Sequence, residues 1–213
     1  TTTSYTGDSV ASTAVTGGSA TREISNALGQ VVERRQYSGT SPTGATYLKT
    51  TFTYTPRGDQ KAVTGPDGAN WTYGYDLFGR PVKAGDPDKG TTTTSYTALD
   101  QTDTTTDAAG NVLLYSYDEL GRKTGQWKTS RTDATKLAAW TYDTVAKKQL
   151  ASATRYVGGV TGAAYTKKVT AYDNAYRPTG EQLLLPDSEP LVTAGVPATL
   201  SLAARVTVRP PAW

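Results

Sequence analysis

The sequence predicts an all-β protein made of consecutive antiparallel β-hairpins. Three observations lead to this prediction: a composition rich in strand and turn formers, a repeat of about 21 residues, and two turn signals inside each repeat. Threonine makes up nearly a fifth of the 213 residues, beside 14 Tyr and 21 Gly. Thr and Tyr favour pleated strands and Gly favours turns. No segment reads as a long amphipathic helix, because the best candidate, residues 136–150, is weakened by its Thr, Tyr and Val content.

A tyrosine ends a strand-like run in each copy of the repeat. The first four of these tyrosines follow one another at intervals of 21 residues, and two more follow after 25 and 30 residues. They are Tyr54, Tyr75, Tyr96, Tyr117, Tyr142 and Tyr172. Because self-similarity at a fixed period is the signature of a repeat architecture, we expect each copy to be one structural unit.

Each copy contains two short strand-like runs and two turn signals. Residues 75–96 show the pattern best, with DLFGR marking one turn and GDPDKG marking the other. The neighbouring copies carry TPRGD with TGPDGAN, TALD with TDAAGN, and DELGR with the longer polar insert TSRTDATK. Strands of about six residues joined by loops that contain Gly, Asp and Pro are typical of consecutive β-hairpins.

The strand before each tyrosine has an aromatic face. Two residues before the tyrosine stand Phe52, Tyr73, Tyr115 and Trp140, whereas the positions between are small or polar. Residues i and i+2 share one face of a strand. We therefore expect stacked repeats to align these rings in ladders, with each aromatic pair contributing about 0.5–1.5 kcal/mol beyond the burial of its area.

The element Tyr-Asp-x-x-Gly-Arg is interpreted as a repeated turn rather than as a pair of active sites. An Asp after the strand can accept backbone N–H groups and hold the turn. Gly79 and Gly121 are expected at positive φ, where a Cβ would clash, and the arginine that follows each is close enough to reach a neighbouring Asp or a turn carbonyl. The residues assigned this structural role are Tyr75, Asp76, Gly79, Arg80, Tyr117, Asp118, Gly121, Arg122, Tyr142, Asp143, Tyr172 and Asp173.

The residue types needed for most catalytic and metal sites are missing. The chain has no His and no Cys, so a Ser-His-Asp arrangement, a thiol nucleophile, a disulfide and nitrogen or sulfur metal ligands are excluded. The carboxylates that could pair are Asp86, Asp88, Asp100, Asp103 and Asp107. They stand in Gly- or Thr-rich turns, where Asp is expected for structural reasons, and DPDKGT and DAAGN lack the ligand spacing of an EF-hand loop. We predict no enzyme activity, no cofactor and no metal.

Charge and hydropathy exclude two further classes of partner. The net charge is +3, and the basic residues are scattered rather than gathered in the stripe that a nucleic-acid surface needs. No stretch approaches the roughly 18–20 apolar residues needed to span a membrane. We therefore predict neither nucleic-acid binding nor a membrane span.

The aromatic residues leave a second interpretation open. Sugar faces stack on Tyr and Trp, so Trp71, Tyr73, Trp127 and Trp140 are candidate contacts of a carbohydrate- or cell-wall-binding module. Packing between repeats is the competing interpretation, and the regular spacing favours it. A passive stalk between domains is a third.

The motifs YDLFGR and YDELGR, the degenerate YDTVAK and YDNAYR, and the intervening DPDKG, GPDG and DAAGN resemble the RHS/YD-repeat family. The resemblance covers residues 22–182, with SNALGQVV at 25–32 as a worn copy that lacks the Tyr, Asp and Arg. In this family such repeats form a curved, spiralling sheet that closes into a hollow shell. Bacterial members can enclose a C-terminal toxin, and the related animal teneurins use a similar shell in cell-surface adhesion. The Thr-rich style resembles actinobacterial members.

The resemblance implies a segment of such a shell in a larger secreted or cell-surface bacterial protein. Its work would be structural, as a wall that encloses or displays a partner domain such as a toxin. We divide the chain into a Thr/Gly/Ser-rich segment at 1–21, the repeat array at 22–182 and a non-repeat tail at 183–213. The DPDKG sequence lies inside a repeat and does not match the motif that ends bacterial shells.

Two exposed edge strands are expected in such a segment, each with unpaired N–H and C=O groups that favour edge-to-edge self-association. The tyrosine-free tail could be an edge cap, a disordered end or a mark of truncation, and the sequence does not choose among the three.

Overall fold

The structure, a computed structural model, describes residues 1–203 and consists almost entirely of antiparallel β-strands. The chain forms two units, Thr1–Thr94 and Ser95–Trp213. Within each unit, every strand pairs with the next strand in the sequence. The all-β hairpin architecture predicted from composition, period and turn signals is confirmed.

The first unit is a meander of nine strands, and the division between the units falls inside the ninth. The strands are β1 (Thr3–Thr6), β2 (Ser9–Ser12), β3 (Thr21–Ser25), β4 (Val31–Tyr37), β5 (Tyr47–Tyr54), β6 (Gln60–Thr64), β7 (Asn70–Tyr75), β8 (Pro81–Asp86) and β9 (Gly90–Tyr96). Every pairing from β1 with β2 to β8 with β9 is antiparallel. Residues 1–21 supply β1 and β2 to this sheet.

The second unit continues the same pattern. Its strands are β10 (Thr102–Thr106), β11 (Val112–Tyr117), β12 (Lys123–Lys128), β13 (Lys136–Tyr142), β14 (Leu150–Val157), β15 (Ala163–Tyr172), β16 (Pro178–Leu184) and β17 (Thr199–Ala203). Every pairing from β10 with β11 to β16 with β17 is antiparallel. The loops hold a 3-10 turn at Asp133–Thr135 and the short helix α1 (Pro190–Thr193). Within residues 1–203, no helix has the length and apolar character needed to cross a membrane.

The repeat lengthens after Tyr117 because its loops and strands grow. The loop between β12 and β13 contains the 3-10 turn, and the turn after Tyr142 runs from Asp143 to Gln149. Strand β15 has 10 residues, whereas β7 and β11 have 6. Surface loops accept extra residues at small entropic cost. The hairpin order therefore survives the loss of the strict period.

Each unit is a single sheet with little buried interior. The main contacts between elements join strands that are neighbours in the sequence. Among the described residues, the buried apolar side chains are Ala11, Ala20, Tyr37 and Pro42 in the first unit and Ala151 and Val169 in the second. Domains usually bury their apolar faces between two packed layers. These sheets therefore leave faces that another layer can cover.

The described part of the tail folds back onto the sheet of the second unit. Strand β17 pairs antiparallel with β16, with Thr199 opposite Leu184 and Ala203 opposite Gly180. The sequence left three alternatives open for the tail, and residues 199–203 match the edge cap because they pair with β16. Residues 204–213 lie outside the described part of the chain.

Candidate functional site in the repeat turns

The Tyr-Asp-x-x-Gly-Arg turns share one backbone geometry. The amide of Asp118 donates to the carbonyl of Arg122 at 2.9 Å, and the amide of Gly121 donates to the carbonyl of Asp118 at 2.9 Å. The register between β11 and β12 shifts just before this turn. A tight turn followed by a residue at positive φ and a bulge is a common hairpin connection. The turns at Asp76 and Asp173 have the same pattern.

The Asp side chain holds the turn from inside. Asp118 Oδ1 accepts the amides of Leu120 at 3.0 Å and Arg122 at 2.9 Å, while Oδ2 accepts Arg122 Nε at 2.7 Å. Asp76 makes the equivalent three bonds at 2.9, 3.0 and 2.7 Å. Burial alone would raise the pKa of each carboxyl, but the bonds from backbone amides and guanidinium outweigh it and lower the pKa. The Asp carboxylate and the Arg guanidinium of the motif are therefore hydrogen-bonded to each other and stabilise the turn together.

The positive φ predicted for Gly79 and Gly121 is confirmed, with angles of 82° and 78°. At the equivalent place in two degenerate turns, Asp100 and Tyr176 have φ of 62° and 59°. For residues with a Cβ the left-handed region costs roughly 1–2 kcal/mol. The degenerate turns are therefore more strained than those that keep the glycine.

The copy that lacks Tyr, Asp and Arg in its sequence still forms this turn. Asn26 Oδ1 accepts the amides of Leu28 at 2.9 Å and Gln30 at 3.0 Å, and Asn26 Nδ2 donates to the Gln30 side chain at 2.8 Å. Thr55 and Thr97 take the place of the Asp in two further turns. The Asn and Thr residues at the Asp position are a sequence signal for these turns, because amide and hydroxyl oxygens accept the same backbone N–H groups as a carboxylate.

The tyrosine of the motif ties its strand to the preceding one, a role that the sequence does not reveal. Its hydroxyl donates to the backbone carbonyl of the first residue of the preceding strand. The bonds are Tyr54 to Val31 at 2.7 Å, Tyr75 to Gln60 at 2.8 Å, Tyr117 to Thr102 at 2.9 Å, Tyr142 to Lys123 at 2.9 Å and Tyr172 to Leu150 at 2.7 Å. Burial raises the pKa of Tyr75, Tyr117 and Tyr142, so these hydroxyls remain donors.

In the second unit the arginine also bridges two successive hairpin turns. Arg122 Nη2 donates to Asp143 Oδ2 at 2.6 Å, and Nη1 donates to Oδ1 at 3.2 Å. The guanidinium lies 4.3 Å from the centroid of the Tyr142 ring. The bonds from Arg122 lower the pKa of Asp143 to about 2. In the first unit Arg57 likewise bridges two successive repeat turns, because it donates to the carbonyl of Leu77 at 2.7 Å.

The predicted aromatic ladders do not form among the described residues. The rings stand on the first strand of each hairpin, so the second strand of the preceding hairpin separates one ring from the next. Val63, for example, lies opposite both Phe52 and Trp71. Two strand spacings amount to about 9.6 Å, which exceeds the roughly 4.5–7 Å between the centroids of favourable ring pairs. Tyr37 and Tyr47, whose centroids are 5.4 Å apart, pair because they stand on adjacent strands.

Basic side chains cover several of the repeat aromatics instead. Lys123 Nζ lies 4.3 Å from the centroid of Tyr115 and 5.8 Å from that of Trp140. Lys136 Nζ lies 5.2 Å from the centroid of Trp127. Such cation–π contacts contribute about 0.5–1 kcal/mol at exposed sites.

The four candidate sugar-contact residues do not lie on one strip. In the first unit, Trp71 and Tyr73 are two residues apart on β7 and share a face. In the second unit, Trp127 and Trp140 lie on opposite faces, because Trp140 shares the face of Gln126, the residue before Trp127. The structure therefore brings the first pair together and separates the second.

Two of the carboxylates considered for catalysis or calcium, Asp86 and Asp107, bind groups of their own hairpins. Asp103 lies in β10 rather than in a turn, and it pairs with Arg131 of the loop between β12 and β13. Asp86 Oδ1 accepts the amides of Asp88 and Lys89, both at 2.9 Å, and Oδ2 accepts Trp71 Nε1 at 3.3 Å. Asp107 accepts two amides of its own turn at 3.0 and 2.8 Å. The backbone bonds lower the pKa of Asp86. Across residues 1–203, no group of three or more acidic side chains is placed to hold a metal ion.

Residues 54–91 of the chain match the RHS Repeat. No curated protein matches the chain. Among solved structures, the crystal structure of TcdB2-TccC3 has a TM-score of 0.64 at 15% identity, covering 78% of this chain and 9% of the other. The Photorhabdus luminescens Tc holotoxin pore with a mutant TccC3 has a TM-score of 0.63 at 14% identity, covering 78% and 8%. The crystal structure of TcdB2-TccC3-TEV has 0.64 at 15%, covering 80% and 9%.

At these identities the likeness to solved structures shows a shared fold. The chain spans 9% or less of the length of the first two solved chains.

Proposed function

We propose that this chain, an RHS/YD-repeat protein by its match at residues 54–91 and by its fold, is a structural wall module of a larger RHS protein. Its sheets form part of a β shell that encloses or displays a partner domain, for example a toxin. The module is non-catalytic, since the carboxylates of its turns are engaged in holding those turns. Its partners are the other repeats and domains of the same protein.

One observation carries this proposal: each unit is a one-layer sheet joined by side-chain bonds at its turns rather than by a buried core. The Tyr hydroxyl bonds and the Asp–Arg turns recur from hairpin to hairpin. A globular domain of about 100 residues normally buries its side chains between two layers. A wall module does not need a second layer of its own, because the partner domain that lies against the sheet covers its face.

The structures that share the fold support a toxin as the kind of partner. They are a TcdB2-TccC3 structure and a Tc holotoxin pore. By analogy, we place the parent protein of this chain outside the cell, either secreted or on the cell surface.

Protease protection in the parent protein tests this function. We would digest the intact protein, a variant without residues 22–182, and the isolated partner domain, and follow cleavage of the partner domain. We expect slow cleavage in the intact protein and fast cleavage in the other two. A partner domain cut as fast in the intact protein as in isolation would contradict an enclosing wall.

A carbohydrate- or cell-wall-binding module is the second candidate, and one hollow in the second unit favours it. The hollow measures about 260 Å³ and is lined by residues that include Trp140, Tyr165, Arg155, Lys167 and Leu183. Aromatic faces beside basic side chains suit a sugar that carries an acidic group.

The opposite faces of Trp127 and Trp140 provide a matched test of this second function. If the hollow binds cell-wall polysaccharide, Trp140→Ala should lose retention on it while Trp127→Ala keeps it, with both proteins folded. Trp71→Ala examines the first unit in the same way. Retention that is absent in the unchanged chain, or equal in all variants, would leave the wall as the function.

A further inference from the structure

Three basic residues lie directly opposite one another on adjacent strands of the first unit. Arg22 on β3 is opposite Arg35 on β4, and Arg35 is opposite Lys49 on β5. Residues in this position share one face of the sheet, and their Cβ atoms lie about 4.5–5.5 Å apart. We call these three residues the cationic row. Like charges directly opposite each other destabilise a sheet, so the row is unfavourable in the free chain.

The other face of the same strands has the usual arrangement of opposite charges. Glu23 on β3 is opposite Arg34 on β4, and each is the chain neighbour of a member of the row. Arg34 Nη2 lies 2.6 Å from Glu23 Oε1. The two pairs share the same strands and the same register. The like-charge pairing is therefore a property of one face and not of the way these strands align.

The carboxylate on the face of the row neutralises only part of its charge. Glu33 is the one acidic residue that β3, β4 and β5 place on this face, and its Oε1 accepts Arg35 Nε at 2.5 Å. The Arg35 guanidinium also lies 4.6 Å from the centroid of the Tyr47 ring. Within residues 1–203, neither Arg22 nor Lys49 has an ion pair. Three cations and one carboxylate leave a surplus of two positive charges.

Arg22 is the member of the row that lacks acceptors for its donors. Its Nε is, within residues 1–203, the one buried side-chain nitrogen or oxygen atom without a hydrogen-bond partner. A guanidinium stays charged in proteins and offers five N–H donors. A buried N–H without an acceptor costs free energy, and native structures rarely keep one. An oxyanion in front of the row would supply acceptors to Arg22 and neutralise the surplus charge together.

The shape of the row favours several carboxylates on one segment over a single small anion. Lys49 is exposed and the Arg35 side chain is 25% exposed, so the row is open to a large partner. It spans two strand spacings, about 9.6 Å. Guanidinium groups bind carboxylates through paired N–H bonds, and Glu33 already binds Arg35 in this unit. An acidic stretch of polypeptide can therefore cover all three cations at once.

We propose that the cationic row binds an acidic segment of the partner domain, whose carboxylates pair with Arg22, Arg35 and Lys49. This inference rests on the proposed function, in which a partner domain lies against the sheet, and it names the chemistry by which one face of the first unit holds that domain. The unfavourable charges of the free chain become ion pairs in the complex.

Binding of a short poly-L-glutamate peptide to the 213-residue chain tests the proposal. Fluorescence anisotropy of the labelled peptide at low ionic strength measures the dissociation constant, with poly-L-glutamine as the uncharged control. Arg22→Met removes the charge and the unpaired N–H but keeps an unbranched side chain, and it should raise the dissociation constant roughly ten-fold or more. Arg34→Met is the matched control, because it removes the same charge from the opposite face, and it should leave the dissociation constant within about two-fold.

The melting temperature of the free variants separates binding from a structural role. Arg22→Met removes a like-charge contact and an N–H without an acceptor, so its melting temperature should equal or exceed that of the unchanged chain. Lys49→Met changes an exposed side chain at the other end of the row. It should weaken peptide binding as well and leave the melting temperature unchanged.

Three results overturn the proposal. The first is an unchanged chain that does not bind poly-L-glutamate, and the second is equal weakening by Arg22→Met and Arg34→Met. The third is inorganic phosphate that displaces the peptide at equal concentrations of phosphate and glutamate residues, which would assign the row to a small free anion. The wall function fails by a different result, fast cleavage of the partner domain in the intact parent protein, so the two failures are distinguishable.

Discussion

At the residue scale, the Asp and the Gly of the motif do different work. Asp118 accepts two backbone amides and a guanidinium of its own turn. Gly121 supplies a backbone angle, φ of 78°, that residues with a side chain adopt only with strain. Water or another oxygen can replace a lost acceptor at an exposed turn, but nothing replaces a backbone angle. The glycine is therefore the less tolerant position.

We expect Gly121→Val to destabilise the chain more than Asp118→Asn. A β-branched residue at positive φ should cost on the order of 1–3 kcal/mol. Asparagine keeps an oxygen for the amides of Leu120 and Arg122, and Arg122 keeps its bond to Asp143. Urea denaturation of the two variants measures the difference. Equal and small changes in the free energy of unfolding would mean that Gly121 has no special backbone requirement.

Asp143 makes the stability depend on pH in the acid range. The two bonds from Arg122 lower its pKa from the ordinary 3.8 to about 2. Because the folded-state pKa lies below the unfolded value, the unfolded chain binds more protons between the two. The stabilisation is therefore complete above about pH 4 and is lost as the pH falls towards 2.

We expect Asp143→Asn to lose less stability than the unchanged chain as the pH falls from about 4 to 2. Asparagine does not titrate, so this part of the acid dependence disappears. Denaturant unfolding at several pH values measures the slope, and Asp187→Asn, which removes an exposed carboxylate outside the repeat turns, serves as the control. Identical slopes in the unchanged chain and Asp143→Asn would contradict the assignment.

At the scale of the element, the hairpin is held to its neighbour by the tyrosine at the end of its first strand. The ring extends along the neighbouring strand and its hydroxyl reaches that strand's first carbonyl, as from Tyr117 to Thr102 at 2.9 Å. The backbone ladder weakens where the bulge before the turn shifts the register. The hydroxyl bond adds a side-chain link close to this place, which explains why the repeat ends its strand with tyrosine rather than with phenylalanine.

We expect Tyr117→Phe to lower the free energy of unfolding by about 0.5–1.5 kcal/mol, the net value of one hydrogen bond. Tyr176→Phe is the matched control, because the Tyr176 side chain is 56% exposed and its hydroxyl has no protein partner within residues 1–203. Chemical denaturation of the two variants gives the comparison. An equal loss in both would show that the hydroxyl bond does not stabilise the pair of strands.

At the scale of the whole chain, the ends of the sheets are the places where backbone groups are open to further pairing. Strand β1 is exposed at all four of its residues, and β17 covers β16 through five antiparallel residue pairs. An uncovered strand presents free N–H and C=O groups to another chain. Removing β17 would therefore expose β16 as a new edge.

Deleting residues 191–213 should increase the size of the oligomers seen in light scattering beyond that of the full chain. Deleting residues 204–213 alone is the control, because it keeps β17 and its pairing with β16. If both deletions leave the size unchanged, β17 does not protect the edge.

The sequence by itself determined the hairpin order, the positions of the turns and the backbone angle of their glycines. These features depend on contacts within five or six residues, as in the bond from the Asp118 carboxylate to the Arg122 amide. The family resemblance followed from the same local motifs. The worn copy at 25–32 was located from the sequence as well, and in its turn the amide oxygen of Asn26 takes the place of the Asp carboxylate.

Only the tertiary structure decided which residues meet across strands. The partners of the Tyr hydroxyls are 15 to 23 residues away in the chain, and Arg122 meets Asp143 21 residues on. The predicted aromatic ladders were wrong for the same reason, since a whole strand lies between successive rings. Trp127 and Trp140 lie on opposite faces because Gln126 pairs with Ala138, which places Trp140 on the face of Gln126 and not on that of its neighbour Trp127. A register one residue different would reverse this relation, and no local pattern in the sequence specifies the register.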